Sequence, residues 1–183
     1  RLVENNQGPN TGGMGAYTPV PFVDKKLLKQ IEKEIVAPTI KAMAKEGCLY
    51  QGVLYPGLIL TKSGPKVLEY NCRFGDPETE PLMMSLESDL IEVVLAQQKN
   101  KLKNKKLVFK KGFSVGVVLA SAGYPDDYKK GDQIYGIDKV KDENVQIFHA
   151  GTKELDKKII TNGGRVLLVV AYEKTLDEAI KKA

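Results

Sequence analysis

Apolar residues recur at helical spacing through residues 24–46, and this stretch predicts a helix. The side chains that share its apolar face are Leu27, Leu28, Ile31, Ile35 and Met43. Asp24 suits the N-cap and Gly47 suits the C-terminal stop. Pro38 lies inside the pattern, so we expect it to kink or divide the helix.

Two strand-like runs follow, over residues 52–61 and 66–73. The four residues between them, KSGP, have the composition of a turn, so the pair predicts a β-hairpin. Asp76, Pro77 and Glu78 then have the order of a helix start, with Asp as N-cap and Pro in the first turn, and Pro81 is expected to interrupt that helix early. Ser88 offers a cap for a further helix over residues 89–99.

The last part of the chain is richer in strands. Residues 113–121, 133–140, 145–150 and 165–172 are strand-like, and Thr175 with Glu178 forms a capping-box pattern before a final helix. Residues 1–22, rich in Gly, Pro and Asn, predict a loop. The pattern predicts an α+β protein with two domains, residues 1–103 and a small β-rich domain over residues 104–183.

Composition narrows the class of protein. The chain has 183 residues, is 42% hydrophobic and has no apolar run long enough for a bilayer, so we expect neither a membrane partner nor a signal peptide. The two cysteines, Cys48 and Cys72, have no metal-binding spacing and suit the reducing cytoplasm. The chain starts without Met and inside a motif, which suggests a piece of a longer protein.

The net charge of +5 raises the question of nucleic acid. Lysine is densest over residues 99–111, but that stretch has one aromatic residue, Phe109, and no nucleic-acid motif. A solvated linker is the preferred interpretation, and no nucleic-acid partner is expected. A modest positive balance also suits small phosphate-bearing molecules.

The second predicted strand carries the most informative side chains. Alternation puts Glu69, Asn71 and Arg73 on one face and Leu68, Tyr70 and Cys72 on the other, which we interpret as core. Carboxylate and amide oxygens suit a hard cation such as Mg²⁺, and a guanidinium suits phosphate or carboxylate. Together these groups favour phosphoryl transfer, although an amphipathic edge strand with Glu69 and Arg73 paired in solvent stays open.

Two loops could serve the same chemistry. The helix start after Gly75 would offer free backbone N–H groups to an anion beside that face. The glycines of residues 10–15, NTGGMG, would let backbone approach a substrate closely, but a flexible surface turn would have the same composition.

These segments together resemble a known family. GPNTGGMGAYTPVP, GVLYPGLILTKSGPKVLEYNCRFGDPETEPL and the later VVLASAGYP, FHAGT and GGRVLLVVA are similar to the phosphoribosylamine–glycine ligases, which are ATP-grasp enzymes of purine biosynthesis. The resemblance implies the C-terminal lobe of an ATP-grasp domain followed by a small β-rich domain. It also implies ATP-dependent joining of glycine to 5-phosphoribosylamine through a glycyl phosphate, giving glycinamide ribonucleotide, ADP and phosphate.

The resemblance also implies roles for individual residues. Glu69 and Asn71 match the family's ligands for Mg²⁺ or Mn²⁺, and Arg73 matches an arginine that holds the transferred phosphate. The residues that match loops at the substrate end of the site are Asn10, Thr11, Gly12, Gly13, Gly75, Asp76 and Pro77. His149, the only histidine, is interpreted as structural rather than catalytic.

A substrate domain, an adenine-binding lobe and a lid are implied upstream of Arg1, so the chain is expected to be inactive alone. Two alternatives stay open. One is an ATP-grasp carboxylate–amine ligase with a different acceptor, and the other is a non-catalytic, basic binding module associated with RNA.

Overall fold

The structure is a computed structural model, and it describes residues 7–183. Of the predicted loop over residues 1–22, the first six residues therefore lie outside the described part. Contacts between Cα atoms divide the chain into two compact units that are not contiguous in sequence. Unit 1 comprises Arg1–Pro19, Asp76–Glu87 and Val108–Ala183, and unit 2 comprises Val20–Gly75 and Ser88–Leu107. The predicted domains, 1–103 and 104–183, remain a prediction.

Unit 1 is built on a four-stranded antiparallel sheet of order β1-β4-β8-β5. The strands are β1 (Gly15–Thr18), β4 (Phe113–Ala120), β5 (Val145–His149) and β8 (Arg165–Glu173). A separate hairpin joins β6 (Thr152–Leu155) to β7 (Lys158–Thr161). The helices are α3 (Thr79–Ser85) and α5 (Leu176–Lys182), and both contact β4 and β8.

The core of unit 1 lies under the two central strands. Val118, Leu168 and Val170 are buried, and Met14, Met84 and Phe148 pack against them. Helix α3 approaches β4 at Gly116, where an added Cβ would lie 3.0 Å from Cγ of Pro81. The glycine therefore allows the helix to pack closely against the sheet.

Unit 2 contains α1 (Lys25–Ile31), α2 (Ala37–Lys45), α4 (Leu90–Gln98) and the hairpin of β2 (Tyr55–Thr61) with β3 (Gly64–Asn71). Asp24 caps α1 by accepting a hydrogen bond from Leu27 N–H, as predicted. The helical stretch is divided as expected near Pro38, because a π-helical turn, Glu32–Val36, separates α1 from α2. Gly47 follows α2 with a φ of 78°.

The structure confirms the α+β class and the predicted hairpin, but several boundaries were wrong. Helix α3 begins at Thr79 rather than at Asp76, and Pro81 lies in its first turn without interrupting it, because N–H groups there need no intrahelical acceptor. The cap of α4 is Asp89, whose carboxylate accepts from Ile91 and Glu92 N–H, rather than Ser88.

The predicted strand over residues 133–140 was also wrong. Gln133 makes one isolated bridge, Gly136 takes a φ of 85°, and Ile137–Lys139 form a 3₁₀ turn. A left-handed residue in the middle breaks the strand that the apolar pattern indicated. Within residues 7–183, no helix has the length and apolarity that a membrane crossing needs.

Candidate functional site

The predicted metal ligands lie together on β3 in unit 2. Asn71 Nδ2 donates a hydrogen bond to Glu69 Oε1 over 3.0 Å, so the two side chains share one side of the strand. Glu69 faces Gly57 across the hairpin, and Cβ on Gly57 would lie 3.1 Å from Cγ of Glu69. Glycine at that position therefore leaves room for the carboxylate.

The donor set fits a hard cation. In the described part of the chain, Oδ1 of Asn71 and Oε2 of Glu69, one neutral and one charged oxygen, accept no other hydrogen bond. Among the described residues no cluster of three or more His, Cys, Asp or Glu side chains could hold a metal. Two protein ligands, completed by water and substrate phosphate, are the usual arrangement for Mg²⁺.

Arg73 does not continue the strand as predicted. β3 ends at Asn71, and Nη1 of Arg73 donates to the carbonyl of Phe74 over 2.7 Å. Within residues 7–183 no ion pair joins Arg73 to Glu69, so the alternative of a solvent-exposed pair does not match the structure. The guanidinium is exposed and has donors left for an anion.

The opposite side of β3 was predicted to be core, and this was wrong for Leu68, Tyr70 and Cys72, which are all exposed, Leu68 by 68% and Tyr70 by 43%. The register shifts between Gly57 and Leu58, so that Leu68 is the extra residue of a β-bulge and the alternation breaks there. Tyr70 and Cys72 do share a side, as expected, although both are exposed. They line an apolar cavity of about 140 Å³ together with Thr39, Ile40, Met43, Tyr50 and Leu54.

All but one of the residues predicted to bind substrate lie in unit 1. Gly13 has a φ of 105°, and Cβ on it would lie only 2.6 Å from Cδ of Pro77, which is fully buried. Thr11 Oγ1 accepts from Gly13 N–H over 3.2 Å, while Asn10 is exposed. Gly13 and Pro77, which are distant in sequence, are thus in contact. Gly75, the remaining predicted residue, is buried and belongs to unit 2.

Arg165, which the sequence did not single out, joins these two loops. Its Nη1 donates to the carbonyl oxygens of Gly12 and Asp76, each over 2.8 Å, and to that of Gly13 over 3.3 Å. The same atom lies 3.1 Å from Oδ1 of Asp76. The carboxylate of Asp76 is therefore paired with Arg165 rather than capping α3.

A compositional signal could have revealed this residue. The arginines among the 28 basic residues are Arg1, Arg73 and Arg165, and the others are lysines. Because a guanidinium is planar and less hydrated than an ammonium, each of these few arginines is a candidate for a position that needs more than charge.

Glu80 carries a perturbed carboxyl group in the same unit. Burial, with smaller contributions from Asp76 and Glu78, raises the pKa of Glu80 above its usual value, whereas Arg165 acts in the opposite direction. Its Oε2 is buried without a hydrogen-bond partner among the described residues. The Glu80 carboxyl therefore holds its proton more tightly than an exposed glutamate does.

His149 is distant in sequence from the predicted metal ligands and from the predicted substrate-binding residues, and its hydrogen-bonding partner is Thr152. Its Nδ1 is 2.9 Å from Oγ1 of Thr152, and the side chain is exposed in a surface depression of about 420 Å³.

Comparison with known families gives these groups a context. The ATP-grasp domain of phosphoribosylglycinamide synthetase matches residues 1–79, and the C domain of the same protein matches residues 114–183. The chain belongs to the phosphoribosylglycinamide synthetase family. The first match contains the predicted metal ligands and the second contains Arg165.

Relatives align over nearly the whole chain. Phosphoribosylamine–glycine ligase of Vibrio parahaemolyticus is 48% identical over 100% of this chain and 43% of its own length. The ligase of Caldanaerobacter subterraneus is 50% identical over 98% and 42%. A trifunctional purine biosynthetic protein of Gallus gallus is 49% identical over 100% of this chain and 18% of its own length. The chain thus spans less than half the length of these relatives.

Solved structures agree with the fold. A crystal structure of phosphoribosylamine–glycine ligase from Thermotoga maritima has a TM-score of 0.82 and 41% identity, covering 100% of this chain and 44% of that one. The biotin carboxylase domain of a thermophilic 2-oxoglutarate carboxylase has a TM-score of 0.64 at 13% identity, covering 92% and 37%. The second likeness concerns the fold alone. The predicted α+β fold with an ATP-grasp lobe and a C-terminal domain is confirmed.

Proposed function

We propose that this chain is part of a phosphoribosylamine–glycine ligase, which joins glycine to 5-phosphoribosylamine at the expense of ATP. The observation that carries the proposal is the hydrogen-bonded pair of Glu69 and Asn71 on β3, within a segment that matches the family's ATP-grasp domain. The similarity to ligases of this name along the whole chain supports the choice of substrates.

In the proposed reaction the glycine carboxylate accepts the terminal phosphoryl group of ATP, and the ribosylamine nitrogen then displaces phosphate from glycyl phosphate. ADP, phosphate and glycinamide ribonucleotide leave. Glu69 and Asn71 would hold Mg²⁺ or Mn²⁺, which when bound neutralises phosphate oxygens.

Arg73 would bind the transferred phosphoryl group and stabilise its negative charge. Its planar guanidinium matches the geometry of phosphate oxygens, and its exposed position leaves N–H donors for them. Developing negative charge is the feature that a positioned cation stabilises most in the transition state.

The substrates glycine and 5-phosphoribosylamine would bind near the loops 10–13 and 75–77, whose residues 12, 13, 76 and 77 form one cluster. The adenine pocket would come from the remainder of the longer protein, which is the main macromolecular partner we propose. A cytoplasmic location is also proposed and is supported by the two free cysteines, Cys48 and Cys72.

The test is an assay of the full-length protein. We expect phosphate release only when ATP, glycine, 5-phosphoribosylamine and Mg²⁺ or Mn²⁺ are all present, together with formation of glycinamide ribonucleotide. Phosphate release with another carboxylate or amine, and none with glycine and ribosylamine, would support a different carboxylate–amine ligase. Salt-sensitive RNA binding without any ATP-dependent ligation would instead favour the basic binding module.

The same assay on the isolated 183-residue chain gives a further prediction. We expect no turnover, because the proposed adenine-binding part is supplied by the remainder of the protein. Turnover of about 1 to 10³ s⁻¹, the range of ordinary enzymes, would contradict this expectation.

A further inference from the structure

One guanidinium holds together the two loops that the proposed function assigns to substrate. We propose that Arg165 is a positioning residue of the ligation reaction, which fixes residues 12–13 and 76–77 in the arrangement that binds glycine and 5-phosphoribosylamine. The inference rests on the proposed function. It assigns to the segment that matches the C domain a direct part in building a site otherwise formed by the ATP-grasp segment.

The bonds of Arg165 reach both loops from one atom. Nη1 donates to the carbonyls of Gly12 and Asp76 and is close to Oδ1 of Asp76, across sequence separations of 153 and 89 residues. The Arg165 side chain is 20% exposed, so these charge-assisted bonds lie in a partly desolvated place where they are stronger than in water.

Tyr124 fixes the other side of the same peptide unit. Its hydroxyl oxygen accepts from Gly12 N–H over 3.0 Å, while Arg165 donates to the carbonyl of Gly12. The Tyr124 ring packs against Gly164, where any Cβ would clash with it. Both polar backbone groups of Gly12 are therefore held by residues of the last third of the chain.

The absence of side chains at Gly12 and Gly13 allows this contact. Cβ on Gly12 would lie 3.2 Å from Cζ of Arg165, and Cβ on Gly13 would lie 2.6 Å from Cδ of Pro77. The backbone of this loop rests directly on the guanidinium and on the neighbouring loop. A displacement of the guanidinium therefore displaces the backbone that would face the substrate.

The arrangement favours arginine over lysine. A lysine ammonium could also donate from a single nitrogen, but it is a compact, strongly hydrated charge on a flexible stem, and it lacks the planar group whose Cζ, Nε and Nη2 lie against Gly12. A misplacement of about 1 Å can lower a reaction rate on the order of 10²-fold. Loss of the bonds to residues 12–13 and 76–77 would therefore lower the reaction rate as well as the stability of the fold.

The test compares Arg165→Met, Arg165→Lys and Tyr124→Phe in the full-length enzyme, with Lys153→Met on β6 as the matched surface control. We measure kcat, the KM values for glycine, 5-phosphoribosylamine and ATP, and the melting temperature. For Arg165→Met we expect kcat/KM for glycine or ribosylamine to fall on the order of 10²-fold, with KM for ATP within about twofold.

Arg165→Lys should recover part of that loss, because the charge remains. Tyr124→Phe should lower kcat/KM for the same substrates about fivefold, as expected for the loss of one hydrogen bond. Lys153→Met should match the wild type in every constant.

The outcomes separate the alternatives. A lower melting temperature with unchanged constants for glycine and ribosylamine would overturn the inference, and so would an equal rise in KM for all three substrates. If Arg165→Met does not fold, Tyr124→Phe decides by the same criteria. An inactive wild-type enzyme would overturn the proposed function itself, and the inference with it.

Discussion

Glu69 and Asn71 differ in charge although they share one hydrogen bond and one proposed role. The carboxylate contributes electrostatic attraction to a cation, whereas the amide contributes only a dipole. Substitution of either residue should therefore lower activity, and the loss should be larger for Glu69 than for Asn71. Arg73, which is proposed to bind phosphate, should behave in another way.

In the full-length enzyme we expect Glu69→Gln to lower activity, and rising Mg²⁺ or Mn²⁺ to restore part of it, because a neutral ligand weakens the metal site. Asn71→Ala should resemble it more mildly. Steady-state rates across a metal titration, with thermal melts as a folding control, measure both effects. Wild-type rates for Glu69→Gln at limiting metal would contradict the metal-binding role.

Arg73→Lys keeps the charge and loses the planar guanidinium. We expect kcat to fall while the metal dependence stays close to that of the wild type, because the contribution is greatest where charge develops. A displaced metal titration curve with an unchanged kcat would show that Arg73 serves the cation rather than the phosphate.

Glu80 gives a prediction about pH. Its pKa is raised, chiefly by burial, so the folded chain is destabilised once pH rises through that raised pKa and the carboxyl ionises. Glu80→Gln removes this cost. The variant should be more stable than the wild type at about pH 8, and the difference should vanish below the ordinary glutamate value of 4.5.

Urea unfolding of the chain at several pH values measures that difference, and Glu154→Gln on the exposed β6 is the control. A difference in stability between Glu80→Gln and wild type that widens in acid would have the wrong sign for a carboxyl whose pKa is raised.

At the scale of elements, α5 shows how a local pattern can specify structure. The Thr175 side chain accepts from Glu178 N–H, and the Glu178 carboxylate accepts from both the N–H and the hydroxyl of Thr175. These bonds, with that of the Thr175 side chain first, lower the pKa of Glu178. The capping box was predicted from sequence because all of its partners lie within four residues.

Thr175→Ala should lower the free energy of unfolding of the chain by about 1 kcal/mol, since the N-terminal N–H groups of α5 lose their acceptor. Thr175→Ser, which keeps the hydroxyl, should be close to wild type. A lowered pKa means that the stabilisation by Glu178 is present at neutral pH and is lost as pH falls, so the deficit of Thr175→Ala should narrow in acid. Denaturant titration of the wild type and of Thr175→Ala at neutral pH and in acid measures this difference.

The elements that were missed depend on partners or conformations that the local pattern does not show. β1 was missed because it is defined by its pairing with β4, in which Gly15 lies opposite Val117. The approach is close, since Cβ on Gly15 would lie 2.5 Å from the carbonyl oxygen of Gly116. β6 and β7 are joined through Asp156 and Lys157, both with positive φ, without the glycine that usually marks such a turn. The hairpin of β2 and β3 was predicted because KSGP carries that mark.

The candidate site divides in the same way. Glu69, Asn71 and the glycine loop follow from strand alternation and motif, whereas Arg165 and Tyr124 reach Gly12 through long-range packing alone. The β-bulge at Leu68 could not be predicted either, because a one-residue shift in register has no counterpart in an alternating pattern.

At the scale of the whole molecule, the lysine-rich stretch contains the last point at which the chain passes from one compact unit to the other, between Leu107 and Val108. Residues 99–110 are exposed, and the ion pair of Lys105 with Glu92 lies at the surface. From residue 108 onward the backbone is bonded to unit 1, because Glu87 N–H donates to the carbonyl of Val108 and Lys110 N–H donates to that of Ser85.

We therefore expect limited trypsin digestion to cut first between residues 99 and 106, where exposed lysines precede those bonds. Mass spectrometry of the early fragments identifies the site. Early cleavage within residues 52–73, with an intact lysine-rich stretch, would show that the hairpin is the less stable part.

The non-contiguous make-up of unit 1 has a consequence for biosynthesis. A ribosome releases β1 long before β4, its hydrogen-bonding partner, and β4 in turn precedes β8. The nascent chain must therefore carry an unpaired strand edge while all of unit 2 emerges, and closing so long a loop slows folding. Translation speed and chaperone access during that interval would thus bear on the yield of native protein.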